Sequence, residues 1–557
     1  MLGLAAAALT ACDQGLEAID RRTLALLDER TREINAEVLP QWPRPDVPSG
    51  NAGPIFGPDP VNLRTRNPSA DQIGFTPRSG SPSDDPGAAP ETATATLLNL
   101  AAAIGYAVAN SREYQTAAEA YVIQALNLLI ERHRWGPRFF DQVRTEVSAV
   151  GDDGVFDAAQ GVVNDLSVRQ RLPYGGEVSA SLLAAAAWDL NRRVGDSTVQ
   201  DADIILRGDI PLLRGAGLAA REDLIQAERN LIYAAREFER FRREFVFAIA
   251  SDYLDLVVRS QAISNAIRQV QAFEQAEQRE LALFRSGRQA GFQAGLAAQD
   301  TLFARDRLAS QEEQFKLAID RFKVRIGMPT EQPMAIEVDS LGLPAPAVAI
   351  DQAVAIGLRY RLDLQNERDR LADAQRRVDV ARNNLLPDLN LSGFASIPTD
   401  PDKRRAGVDF SPGDANLGAG VTLDIPLDRE IERARLRQAQ IAMEQVARRY
   451  SQSRDTIAVN IRSAVRNIDL ALFSIRIQEQ NVRIAKLREA SIAAAPDRAS
   501  ARDRSDAIEA RLRAEDSLAV AQRDLQVAIL GYLLATDQLR VGANGAILPL
   551  DGMTLTR

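Results

Sequence analysis

Residues 218–284 and 430–493 contain neither glycine nor proline. In a helix interior glycine costs about 1 kcal/mol and proline about 3 kcal/mol relative to alanine, so nothing in either stretch stops a helix once it has started. At 1.5 Å per residue each helix extends roughly 100 Å, far beyond the width of an ordinary globular domain. Alanine, arginine, glutamate, glutamine and leucine dominate the second half of the chain, and aromatic residues make up only 5% of it. The expectation is a mainly α protein built on long helices, with a smaller β part.

Each long stretch sits inside the same order of elements. In the first half, Leu97, Leu100, Ile104, Ala107 and Val108, then Ala118, Tyr121, Ala125, Leu128 and Leu129, recur at helical spacing up to Trp135. Strand-like segments follow at 139–150, at 162–190 around the turn Leu172-Pro173-Tyr174-Gly175-Gly176, and at 204–213. The long helix then ends in a turn, Ser286-Gly287-Arg288 with Gly291 and Gly295, and a second helix over 296–326 stops at Gly327-Met328-Pro329. The second half repeats the plan: a helix over 351–385, strands opening at Leu386-Pro387-Asp388 and over 417–427, the long helix, a turn at Pro496-Asp497 and a last helix over 501–535. Asp209-Ile210-Pro211-Leu212 recurs as Asp424-Ile425-Pro426-Leu427 just before each long helix, and Glu113-Tyr114-Gln115 matches Asp363-Leu364-Gln365. Two tandem repeats of this size must stack or close into a ring to bury their faces. The expected division is a signal segment over 1–12, a short helix and Pro-rich tether over 13–91, repeats over 92–330 and 348–540 joined by a linker over 331–347, and a tail over 541–557.

The residue inventory excludes several function classes. One Cys and one His forbid a disulfide framework and disfavour a metal centre. His133 lies among charges in Glu131-Arg132-His133-Arg134, and no P-loop, GxSxG or HExxH stands anywhere, so no enzyme activity and no cofactor are expected. The net charge of −9 carries no basic stripe, which argues against nucleic acid as a partner. At the N-terminus, Leu9-Thr10-Ala11-Cys12 reads as a lipobox that would make Cys12 the acylated first residue. The region from 40 to 90 holds 12 of the 26 prolines and reads as an extended or disordered tether after a helix over 16–38. No run of about 20 apolar residues occurs, so a membrane crossing would have to be made by strands closed into a barrel.

Several motifs resemble the TolC-like outer-membrane efflux family. Pro211-Leu212-Leu213-Arg214-Gly215-Ala216-Gly217 is similar to its strand-to-helix junction. Arg361-Leu362-Asp363-Leu364 resembles its Arg-Pro-Asp-Leu helix start, with Leu in place of Pro, and Leu386-Pro387-Asp388-Leu389 the entry to its second hairpin. Ser500-Ala501-Arg502-Asp503-Arg504-Ser505-Asp506-Ala507 resembles the start of its last helix. The resemblance runs from about Thr92 to Leu539 and leaves out 13–91 and an insert between 139 and 168. It implies a homotrimer in the bacterial outer membrane, each subunit giving four strands to a shared twelve-stranded transmembrane β-barrel. The helices would form a trimeric α-barrel tunnel in the periplasm. Such a passive conduit, for efflux or type I secretion, works with a periplasmic adaptor (membrane fusion) protein and an inner-membrane transporter.

Asp503 and Asp506 stand three residues apart on one helical face, where the family carries carboxylates near the periplasmic aperture. A ring of such carboxylates favours cations; a solvated helix face is the other reading, since Arg502 and Arg504 lie alongside. The first repeat has Gln293 and Ala297 there instead. The turns at Gly287 and Gly291 and at Pro496 and Asp497 would face the adaptor. The competing functions are a periplasmic adaptor lipoprotein, which should show one helical hairpin, and a coiled-coil structural lipoprotein, which the strands oppose.

Overall fold

A computed structural model describes residues 16–33, 96–152, 155–189, 198–288, 290–337, 342–346, 349–400, 409–494, 500–542 and 547–548. The lipobox with Cys12, the Pro-rich segment 40–90, and Pro496 with Asp497 lie outside the described residues. The chain is mainly helical with a smaller sheet.

The long helices form as their composition requires. Helix α1 is Leu16–Glu33. After the short strand β1, Thr96–Leu98, come α2, Leu100–Asn110, and α3, Arg112–Arg134. Helix α4, Leu218–Arg285, has 68 residues, and α5, Gly291–Ile326, folds back along it. Strand β6, Met334–Ile336, pairs in parallel with β1, bringing the start of the first half against the segment between the halves. The second half has α6, Ile350–Tyr360, and α7, Leu362–Asn383, then α8, Glu430–Ala494, of 65 residues, and α9, Ala501–Ala535. A small antiparallel pair, β9 at Arg540–Val541 and β10 at Ile547–Leu548, closes the described chain.

Three sequence expectations are corrected here. The helix read through 97–135 breaks at Ser111, and the one read through 351–385 breaks at Arg361. The two breaks share one backbone conformation, φ −68 and ψ 127 at Ser111 against φ −62 and ψ 122 at Arg361. Neither is a Gly or Pro, so the periodicity ran through them unmarked. Gly291 and Gly295 do not belong to the turn: Ala290 is extended at φ −78 and ψ 143, and the helix starts directly after it.

The third correction concerns the strand count, which is six where the family resemblance implied four, at the places the strand-like segments of the sequence already mark. The strands are β2, Arg138–Asp152; β3, Val155–Arg171; β4, Glu177–Asp189; β5, Thr198–Pro211; β7, Asp388–Pro398; and β8, Asn416–Asp424. All neighbours are antiparallel, in the order β2-β3-β4-β5-β7-β8. The stretch taken as an insert supplies most of β2 and β3. Its alternation is broken by Asp141 and Asn164 on the apolar side, which hydrogen-bond each other across the strands at 2.7 Å.

The core sits where the short and long helices cross. Leu128, Leu231, Ile249, Leu256, Ile326, Ile461, Ile529 and Leu530 are fully buried. Tyr121 stacks on Phe238 with ring centroids 5.6 Å apart, and Tyr114 meets Phe238 edge-on at 5.9 Å. Helix α9 is long enough to span a membrane, and one 18-residue stretch of it is apolar enough to do so. Its Leu530 is instead packed in this core, and its Arg523 pairs with Asp255 of α4 at 3.1 Å.

Candidate functional site

Period-two alternation gives the sheet two unlike faces. On one lie Phe139, Val143 and Val147 of β2, Val162, Leu166 and Val168 of β3, and Val178, Leu182 and Ala184 of β4. Ile204 and Leu206 of β5, Leu391 and Ile397 of β7, and Leu417, Val421 and Leu423 of β8 continue it. Among the described residues nothing covers its β2 end: Phe139, Val143 and Val147 are 67%, 65% and 68% exposed. The opposite face carries Glu177, Ser179, Asp203, Arg207, Asp209, Ser392 and Ser396, which line one shared groove. It also carries two exposed aromatic rings, Phe140 and Phe394. Arg138 and Arg169 lie over the Phe140 ring at 5.5 and 5.4 Å, and the Phe394 ring lies across Gly418 on the next strand.

The junction between sheet and helices joins motifs that lie far apart in sequence. Pro211 ends β5 and Asp424 ends β8, so both recurring Asp-Ile-Pro-Leu segments lie at the passage from strand to long helix, two residues out of step. Leu212 N–H donates to Leu389 O at 2.7 Å. Asn383 accepts from Gly215 N–H at 2.8 Å and donates to Leu213 O at 3.1 Å, while Arg214 pairs with Asp388 at 3.4 Å. Arg429, first of the arginines in 429–437, donates to Leu385 O and Pro426 O, both at 3.0 Å.

At the helix break, Arg361 grips Asp363 through two bonds, 3.0 and 2.6 Å, and donates to Ala535 O at 3.2 Å. Asp537, at φ +62, accepts from Leu362 N–H at 3.0 Å and pairs with Arg243 at 2.8 Å. Burial pushes the Asp363 carboxyl up, but the Arg361 hydrogen bonds and the Arg361 and Arg240 charges outweigh it and hold the group below the usual range. Asp537 goes the other way, because its burial outweighs Arg243 and the Leu362 amide. These groups fasten helices to each other; sequence reading found Arg361 and Asp363 but not Asp537, whose partner lies far away in sequence.

At the far end of the helices, Gly287 closes α4 at φ +69. Arg288 N–H bonds Leu283 O at 3.0 Å and Gly287 N–H bonds Phe284 O at 2.9 Å, a Schellman closure that needs the left-handed residue. Gly291, the first residue of α5, lies against the Phe284 ring, which a Cβ would meet at 3.1 Å. Asp503 and Asp506 are both exposed. The Asp503 carboxylate accepts from Ser500 N–H at 3.0 Å and from its hydroxyl at 2.7 Å, while Asp503 N–H donates to Ser500 Oγ at 3.2 Å. This capping box, the Ser500 hydroxyl first, holds the Asp503 carboxyl below its usual range. Asp506 instead lines a groove with Asp300, Asp306, Arg307 and Glu509. Arg307, at 3.2 Å, and Arg513, at 2.6 Å, both pair with Glu509, while Arg504 turns away to Glu280. The fold thus separates the roles of the two aspartates, and it adds Asp300 and Asp306 from α5, which no local spacing could reveal.

Residues 357–495 match the family model described as outer membrane efflux protein. No curated protein sequence matches the chain. The outer-membrane channel OprN has a similar fold, with TM-score 0.60 at 15% identity over 78% of this chain and 89% of that one. VceC, an outer membrane protein from Vibrio cholerae, also gives 0.60, at 16% identity over 78% and 95% of the two chains. The MtrE outer membrane channel of Neisseria gonorrhoeae gives 0.54, at 15% identity over 78% and 88%.

Proposed function

We propose that this chain, which carries the outer membrane efflux protein signature over residues 357–495 and has the fold of those channels, is one subunit of a homotrimeric passive conduit in the bacterial outer membrane. The observation that carries the reading is the six-stranded sheet, apolar and uncovered on one face, polar on the other, and unpaired at both ends by any described strand. Lipid tolerates no open sheet edge, so such a sheet can sit in a bilayer only when closed with other copies of itself. The helices support the same reading. On α8, Val459, Leu470, Phe473, Ile477, Ile484 and Leu487 are exposed at spacings that keep them near one stripe, as a helix packed against a neighbouring subunit requires.

The barrel would lie in the membrane and the helices would form a periplasmic tunnel. Turns such as that at Gly287 would meet a periplasmic adaptor, itself joined to an inner-membrane transporter, in efflux or type I secretion. An acylated Cys12 would anchor the N-terminus in outer-membrane lipid. Two helical hairpins, α4 with α5 and α8 with α9, count against the single-hairpin adaptor reading. Electron microscopy of the detergent-extracted protein tests the proposal. A hollow trimer about 140 Å long is expected, from helices of this length plus a barrel. Particles that stay monomeric in mild detergent would reject it.

A further inference from the structure

We propose that all six strands belong to the membrane wall, so that three copies of this chain close an eighteen-stranded barrel through β2 of one copy and β8 of the next. The inference rests on the trimeric-channel reading above and goes beyond it in fixing the wall and its seam.

The extra pair lies in the first half, where four strands run between α3 and α4, while the second half has two between α7 and α8. Strand β2 leaves α3, β3 returns, β4 leaves again and β5 returns to α4. The register is continuous through these strands: Arg138 faces Arg169 and Asp152 faces Val155, then Ala159 faces Asp189 and Arg171 faces Glu177. Nothing in the ladder separates an inner four strands from an outer two. The β3–β4 turn also rests on the helix junction, where Gly217 N–H donates to Tyr174 O at 2.8 Å. A Cβ on Gly176 would come within 2.0 Å of Asp209 O, so this turn is seated against the end of β5.

The chemistry of the faces runs across all six strands. The apolar face of β2 and β3 continues that of β4 and β5 through the pairs Val168 with Ala180 and Leu182 with Ile204. On the other face Gln142, Arg144, Ser167 and Arg169 join the polar side of β4 and β5. A hairpin lying outside the wall in lipid would expose those polar groups to hydrocarbon, and one lying inside would put Phe139, Val143 and Val147 in water. Length agrees: a tilted strand needs about 9–11 residues to cross a bilayer. The six have 15, 17, 13, 14, 11 and 9 residues.

The edges are complementary. Strand β2 runs away from the helices and β8 runs back toward them, so β2 against β8 of the next copy continues the antiparallel ladder without a break. Six strands alone fall short of the smallest outer-membrane barrels, which have about eight. Barrel width grows nearly in proportion to strand number, so this ring would be about 1.5-fold wider than one of twelve strands, with about twice the cross-section. Only four helices per copy, α3, α4, α7 and α8, run directly into the sheet. The conduit would therefore be wider in the membrane than in its helical tunnel.

Two measurements on the full chain decide it. The first is the strand count in an electron-microscopy map of the protein in lipid nanodiscs. The second is disulfide trapping, with cysteine placed on β2 at Phe139, Val143 or Val147 and on β8 at Leu417, Val421 or Leu423, each single-cysteine chain serving as control for Cys12. Eighteen strands, and covalent dimers and trimers only when β2 and β8 cysteines are combined, are expected. A trimer with a twelve-stranded ring, or trapping of β8 by cysteines at Val178 and Leu182 of β4, overturns the proposal and leaves the channel reading intact. A protein that forms no trimer overturns both.

Discussion

Arg504 Nη2 lies 2.8 Å from Glu280 Oε1, joining the first turn of α9 to the end of α4 across 224 residues of sequence. Glu280 is 1% exposed and Arg504 14%, so the pair is shielded from water. Arg504→Ala should strand a buried carboxylate, a change that costs about 3–5 kcal/mol. Glu280→Gln with Arg504→Met should cost much less than the sum of the single changes. Hydrogen exchange at the tips measures this. Unchanged protection of residues 275–290 in Arg504→Ala would mean that the pair fastens nothing.

Asp506→Asn is the clean test of an acidic constriction, because Asp503 also caps its helix. If the carboxylates of Asp506, Asp300 and Asp306 face the conduit, cation preference and block by multivalent cations should both fall in single-channel recordings of Asp506→Asn. Asp503→Asn should shift them as well if that residue reaches the aperture, and Asp503→Ala should in addition loosen the first turn of α9. Channels indistinguishable from the parent in both Asn variants would place these residues on a solvated outer face.

Gly176 and Gly215 both sit at positive φ, +86 and +75, yet their surroundings differ. A Cβ at Gly176 meets the Asp209 carbonyl, while one at Gly215 has nothing within 4 Å. Gly215→Ala should cost about 1–2 kcal/mol, the left-handed penalty alone. Gly176→Ala should cost more and lower the temperature at which the folded species is lost on electrophoresis. Equal losses would show that the turn can move off β5.

Asp363 carries an acid-sensitive part of the stability. Its folded pKa is held below its unfolded value, so the native state binds fewer protons and stability rises with pH through that window. The contribution is complete above about pH 4, the ordinary aspartate value, and is lost as pH falls through the folded pKa. Asp537, raised by burial, works in the opposite sense: its share of stability is greatest in acid and declines as pH rises through its folded pKa. Asp363→Asn should destabilise the protein at neutral pH and flatten the loss of stability as pH falls below about 4 in acid titrations. An unaltered acid limb would remove Asp363 as its source.

Cys12→Ser should leave an unprocessed and unacylated N-terminus while the channel still inserts, since strands and not the lipid would cross the bilayer. Mass spectrometry of the mature protein decides this; an unmodified Cys12 would end the lipoprotein reading. Removing residues 40–90 should leave assembly intact, and loss of the trimer would show the segment to be structural.

What the sequence determined by itself is what depends on near neighbours along the chain. The absence of Gly and Pro over 218–284 and 430–493 set the two long helices, because helix propagation depends only on residues a few places away. The Gly-then-Pro stop at Gly327 and Pro329 is local chemistry too, and it stands where the sequence put it. The mainly α class followed from such features. Tertiary structure alone decided what depends on partners far away. Ser111 and Arg361 interrupt their helices because other segments meet them: Gly327 lies against Asn110, and Asp537 receives the Leu362 amide. The strand segments were marked in the sequence, but that they pair into one six-stranded sheet, with Asp141 and Asn164 satisfying each other across β2 and β3, was decided by pairing between distant segments. Asp503 and Asp506, one face by spacing, part company because Ser500 holds one carboxylate while the other looks across to α5. Hydrogen bonding and burial belong to pairs of residues, and which pairs form is settled only when the chain has folded.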